Sequence, residues 1–151
     1  MLDLRQATMA DADRLFSWRN DPVTRQWSAS TAEVRREDHD RWMQLNVLQG
    51  YPAHLVLIAD TDFGPVGTLR FDAFRKDVMS YSVSINVAPE YRGQKFGYAM
   101  LDLGCKMMPD STLFADIKVK NVASHAIFLK CGFEEEARAG DFVRYRRDAI
   151  A

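Results

Sequence analysis

The 151 residues are enough for one domain with a real core, spanning residues 1–151, and hardly enough for two. A hydrophobic share of 47% beside 27% charged residues fits a globular chain, and a formal net charge of -1 gives no global field toward nucleic acid or an anionic membrane. No apolar run nears the roughly 20 residues of a membrane span, and the opening Met1-Leu2-Asp3-Leu4-Arg5 has no signal-peptide core. Cys105 and Cys131 make neither a disulfide framework nor a metal set, so a cytoplasmic setting without a metal is expected.

Residues 2–7 alternate loosely and predict a first strand. Thr8-x-x-Asp11 has the form of a capping box. The helix after it puts Ala12, Leu15, Phe16 and Arg19 on one stripe and stops before Pro22. Residues 24–29 read as a loop. Thr31 is the expected cap of a second helix, with Val34, Trp42, Leu45 and Leu48 facing inward and Gly50 ending it. Residues 53–59 are a continuous apolar run, as in a buried strand. Residues 60–65 turn, 66–71 form another strand, and 72–77 turn again.

The stretch from Ser80 to Met108 organises the rest. Tyr81, Val83, Ile85 and Val87 alternate with Ser80, Ser82, Ser84 and Asn86, the period of a strand. Pro89 ends that strand. A helix is expected from Phe96 to Met108, with Phe96, Met100, Leu103 and Met107 on its buried stripe. Between them lies Arg92-Gly93-Gln94-Lys95-Phe96-Gly97. Glycines and cations where a helix begins suit a phosphate, because the first N–H groups of a helix are unpaired and partly positive. The same residues also fit an ordinary strand-to-helix turn. Leu113, Ala115, Ile117 and Val119 then alternate as a strand, Asn121 caps a helix, Gly132 ends it, and residues 133–138 and 142–147 form a hairpin. The order is β-α-α-β-β-β-α-β-α-β-β.

Gln94-Lys95-Phe96-Gly97-Tyr98-Ala99 resembles the Gln/Arg-x-x-Gly-x-Gly/Ala signature of the GCN5-related N-acetyltransferases, the GNAT superfamily. Val87-Ala88-Pro89-Glu90-Tyr91 and Arg92-Gly93 resemble its lead-in, and the block Asn121 to Phe133 resembles its Asn-x-x-Ser-x-x-x-Tyr-x-x-x-Gly-Phe segment. The resemblance implies an α/β (α+β) fold: a mixed, mostly antiparallel sheet splayed at the cofactor site and flanked by about four helices. It implies an acetyl-CoA-dependent N-acetyltransferase working by direct attack in a ternary complex. It places the pyrophosphate on Arg92, Gly93, Gln94, Lys95, Phe96 and Gly97, with Tyr98 beside them. The pantetheine would run along the strand through Ile85, Asn86 and Val87. Asn121, Ser124 and Phe128 would border it.

Phe128 departs from the family, which commonly has a tyrosine there as acid to the leaving thiolate. Water, the low basicity of the thiolate, or a hydroxyl of Tyr81, Tyr98 or Ser124 would have to serve. Asp116, pointing opposite to Leu113, Ala115 and Ile117, is the candidate base, with Ser82, Ser84 and Asn86 to order a relaying water. Asp116 could equally pair with a nearby cation or bind the substrate amine.

Trp18-Arg19-Asn20-Asp21-Pro22, with Arg25 and Trp27, resembles a branch acting on N-terminal alanines of ribosomal proteins and on nucleotide-linked amino sugars. The implied acceptor is a nucleotide-linked 4-amino sugar. A peptide N-terminus is the alternative, and a non-catalytic acyl-CoA sensor is the alternative of another class. The helical arm and the last hairpin offer a surface for a homodimer.

Overall fold

The computed structural model describes residues 1–74 and 77–150. Its strands are β1 (Asp3–Gln6), β2 (His54–Thr61), β3 (Gly64–Phe74), β4 (Asp77–Val87), β5 (Thr112–Lys118), β6 (Glu134–Ala139) and β7 (Phe142–Arg147). Its helices are α1 (Ala12–Asn20), α2 (Pro22–Trp27), α3 (Arg36–Met43), α4 (Phe96–Met107) and α5 (Val122–Lys130). The strands form one sheet in the order β1-β2-β3-β4-β5-β7-β6. Among the described residues only β4 and β5 are parallel; every other pair is antiparallel.

Alternation along the strands makes two faces. Leu57, Leu69, Phe71, Val83, Leu113 and Ala115 pack with Leu101 of α4 and Phe128 of α5. Val56 and Ile58 pack with Leu15 and Trp18 of α1 and Met43 of α3. Burial of such side chains is worth about 1.5–3 kcal/mol each, so these two seams hold both helical layers to the sheet.

The N-terminal knot is electrostatic. Asp11 is 2% exposed. Its carboxylate takes two hydrogen bonds from Arg5, at 2.9 and 2.8 Å, one from Arg14, and one from the Thr8 N–H at 2.9 Å. The Thr8 side chain accepts in return from the Ala10 N–H, completing the expected capping box around a short turn at Met9–Asp11.

Four expectations are corrected. The loop at 24–29 is largely helix α2, because Pro22 sits at its first turn and Asp21 accepts from the Thr24 N–H at 3.0 Å. The second helix begins at Arg36, not after Thr31, and closes in a wide π turn at Gln44–Leu48. That turn shifts the phase of the apolar stripe. His39 and Met43 are buried, whereas Leu45 and Leu48 are more than half exposed. On α4 the buried stripe is Gly97, Met100, Leu101, Gly104 and Cys105, with Met107 outside. Small residues define it, because α4 lies so close to β3 that a Cβ on Gly104 would collide with Leu69. Of the expected turn at 72–77, β3 and β4 take up the ends, and residues 75 and 76 lie outside the described residues.

Gly67 on β3 is a similar close approach. A Cβ there would stand 2.5 Å from the Asn86 carbonyl oxygen and 3.0 Å from Cε of Met100. The obstacle is backbone in the middle of a ladder and cannot swing aside. Gly67→Ala is expected to cost roughly 1–3 kcal/mol, read as a lower urea midpoint. An unchanged midpoint would mean that β4 shifts freely there.

Candidate active site

The sheet opens at its centre. β4 pairs with β5 only at Ser80↔Thr112, Tyr81↔Leu113 and Ser82↔Phe114. Beyond these, β4 continues to Val87 on β3 and β5 continues to Lys118 on β7. Among the described residues, the edge of β4 from Val83 onward pairs with no strand on that side. Ile85, Asn86 and Val87 lie on that free stretch. An open strand edge offers N–H and C=O groups to an extended amide-bearing ligand.

The wide end of the wedge, past Val87, meets the N-terminus of α4. A turn at Pro89–Tyr91 leads into Gly93, at φ +75°, and Lys95, at φ +69°, which serves as the N-cap of α4. A lysine in the left-handed region is uncommon and marks a constrained loop. Among the described residues no side chain caps α4, so its first N–H groups stay open to an anion. Gly97 is buried where three elements meet: a Cβ would stand 2.9 Å from Ile127 of α5, 3.6 Å from Val87 and 3.8 Å from Ile85. A strand edge, bare helix amides and a glycine cradle fit the pantetheine and pyrophosphate of CoA.

The other loop side chains have partners. Arg92 donates to Asp21 Oδ2 at 2.7 Å and to Thr24 Oγ1 at 2.9 Å. Burial pushes the Asp21 carboxyl up, but the Arg92 guanidinium and the Thr24 N–H outweigh it, and the group ends below its ordinary value. Gln94 donates to the Glu90 carbonyl at 3.3 Å, and Phe96 meets Tyr91 edge-on. Tyr98 lies under the Lys130 ammonium, 4.1 Å from its ring centre.

On α5, Asn121 caps the helix by accepting from the Ser124 N–H at 3.4 Å. Phe128 is 2% exposed and packs against Phe133 and Tyr145. Asn86 ties the helical arm to the sheet: its Oδ1 accepts from Thr24 Oγ1 at 3.0 Å and its Nδ2 donates to the Trp18 carbonyl at 3.4 Å. Both ends of its side chain are therefore engaged. The Tyr81 hydroxyl donates to the Pro52 carbonyl at 3.4 Å. Ser84 is exposed on the opposite face, just past the last β4–β5 pair.

Asp116 stands on that same face, two residues past Phe114. Both of its oxygens accept from Arg144, Nε to Oδ1 and Nη2 to Oδ2, each at 2.8 Å. The pairing raises the Arg144 guanidinium above its ordinary value. A groove of about 420 Å³ opens beside them, lined by Ala29, Asp116, Ala137, Arg138, Phe142 and Arg144. The sequence reading left Arg144 out. Asp116 and Arg144 face each other across β5 and β7, a pairing that becomes visible once the register is known. The partners of Arg92, Asp21 and Thr24, were missed for the same reason of distance along the chain.

Residues 1–134 match the family model for the acetyltransferase (GNAT) domain. The chain belongs to the GNAT acetyltransferase family. This acetyltransferase resembles the ribosomal-protein-alanine N-acetyltransferase of Brucella melitensis, at 26% identity over 97% of this chain and 99% of that one, with a TM-score of 0.78. A spermidine N-acetyltransferase of Vibrio cholerae, in complex with CoA and spermine, matches at 14% identity over 96% and 92%, with a TM-score of 0.82. An aminoglycoside acetyltransferase in complex with coenzyme A matches at 16% identity over 98% and 95%, with a TM-score of 0.82. Comparison with curated proteins gave no match. The protein is an acetyl-CoA-dependent N-acetyltransferase of the GNAT fold, with a mixed, mostly antiparallel sheet. No helix among the described residues is long and apolar enough to cross a membrane.

Proposed function

We propose that this GNAT enzyme acetylates the primary amine of a nucleotide-linked 4-amino sugar at the open wedge between β4 and β5. The observation that carries the placement is the wedge itself, free β4 backbone leading to the uncapped N-terminus of α4. In this reading Ile85, Asn86 and Val87 hold the pantetheine by their backbone. The amides from Gly93 to Tyr98 hold the pyrophosphate, while Arg92 fixes their loop. Asn121, Ser124 and Phe128 form the wall on the α5 side.

When bound, acetyl-CoA supplies a thioester carbonyl open to an amine. An amine is protonated at neutral pH and must lose a proton to attack. Asp116 is our proton acceptor: it faces the acceptor side past the splay, and it takes a proton by releasing one hydrogen bond from Arg144. Ser84, exposed on the same face, positions the amine or a relaying water. Phe128 has no proton to give. Ser124, on the same face of α5, is our candidate donor to the leaving thiolate. The Tyr81 hydroxyl is already committed to Pro52.

A peptide N-terminus is the second reading, favoured by the likeness to a ribosomal-protein-alanine acetyltransferase. The two separate in one assay of CoA release, offering a nucleotide-linked 4-amino sugar and an alanine-initiated peptide side by side. Release with the sugar alone is expected. Release with the peptide alone would move the acceptor to protein N-termini. Silence with both, in protein that binds acetyl-CoA, would leave a different amine or an acyl-CoA-binding module.

A further inference from the structure

Several arginines of the helical arm and the sheet are neutralised. Arg92 has Asp21, Arg144 has Asp116, and Arg36 has Asp13 and Asp40. Arg19, in the last turn of α1, is half-buried and touches no carboxylate among the described residues. Its Nη1 donates to His39 Nδ1 at 2.9 Å. The imidazole is neutral, because its Nδ1 is the acceptor and its Nε2–H donates to the Ala12 carbonyl at 2.8 Å. His39 is fully buried, and burial pushes its pKa down. The neighbour that takes a hydrogen bond from Arg19 therefore brings no negative charge.

A second guanidinium shares this corner. Arg19 lies 4.6 Å from the Trp42 ring centre, and Arg70 of β3 lies 5.8 Å from it. Arg70 gives its Nε to Asp72 at 2.8 Å, and Asp72 also binds His54 Nδ1 at 2.7 Å, so one carboxylate serves both. Two guanidiniums held on one indole repel each other. Burial, and then Arg70, lower the pKa of Arg19. Arg70 has its partner in Asp72, whereas the Arg19 charge is half-buried without a carboxylate, which is costly, and an incoming anion relieves that cost.

The corner adjoins the wedge. Arg70 pairs with Ser84 across β3 and β4, so their side chains stand on one face as direct neighbours. The end of α1 is tied over β4 by the bond from Asn86 to the Trp18 carbonyl.

We propose that Arg19 and Arg70, set against Trp42, form an anion subsite of the acceptor cleft, so that the acceptor is an amine that also carries a phosphate or a carboxylate. The proposal deepens the reading of this face as the acceptor side and rests on it. Polycationic amines are repelled from the same corner, where Trp42 is already stacked on His39.

The test is calorimetric and needs no turnover. Protein saturated with CoA, so that the amides of α4 are filled, is titrated with inorganic pyrophosphate and, separately, with glutarate. Binding of at least one anion is expected, weakened about tenfold or more in Arg19→Gln and less in Arg70→Gln. Both variants keep a hydrogen-bond donor, and an unchanged CoA affinity certifies their fold. Tighter pyrophosphate points to a phosphorylated acceptor, and tighter glutarate to a carboxylated one. Absence of binding, or equal affinity in wild type and both variants, overturns the subsite. Loss of anion binding in the variants of a protein that acetylates nothing would leave the subsite standing and remove the catalytic reading instead.

Discussion

Asp116→Asn is expected to lower kcat by roughly 10²- to 10⁴-fold, the range over which a positioned base contributes. Asparagine keeps the shape and one acceptor oxygen toward Arg144, so the strand pair β5–β7 should survive and acetyl-CoA affinity should stay level. What goes is the group that can hold a proton. The variant also removes the negative charge beside Arg144, a step toward repelling an ammonium ion, and this would raise KM. Steady-state kinetics with a good acceptor separate the two: a fall in kcat at constant CoA affinity marks the base, and a rise in KM alone marks amine binding. Turnover near wild type would remove Asp116 from the chemistry.

The largest loss of stability is expected at the other end of the chain. Asp11→Ala takes away a carboxylate that accepts from Arg5, Arg14 and the Thr8 N–H while almost wholly buried. Breaking a buried pair costs about 3–5 kcal/mol, and the low end, roughly 3 kcal/mol, is expected because Arg5 and Arg14 are more than a third exposed and regain water. The same site sets an acid limb. The Arg5 hydrogen bonds hold the Asp11 carboxyl below its usual value. Its contribution is complete above the unfolded value of about 3.9 and is lost as pH falls through the lower folded value. Urea midpoints from neutral pH downward should therefore fall less steeply in Asp11→Ala than in wild type. Parallel curves would deny the linkage.

The strands and the wedge were the most legible parts of the sequence. Alternation at Tyr81 to Val87 and at Leu113 to Ile117 is a period-2 signal that few other structures produce, and Pro89, Gly132 and Gly140 mark real breaks. The signature around Gly97 falls where α4, α5 and β4 converge. The helical arm was harder to read. Its short helices depend on a proline at a first turn and on a π turn, and both alter phase without altering composition. The partners of the charged residues were hidden for another reason. Arg92 finds Asp21 71 residues away, Arg144 finds Asp116 28 residues away, and local pattern holds no record of such distances.

The Arg92–Asp21 bond joins the loop that opens α4 to the helical arm. Thr24 and Asn86 extend the same tie to β4. The two halves of the cleft are thus not interchangeable parts. An arm grafted from a relative without a carboxylate at position 21 would strand the Arg92 guanidinium beneath it and slacken the loop that opens α4. Any attempt to re-tool this scaffold for a new amine has to carry that cross-brace along with the new recognition residues.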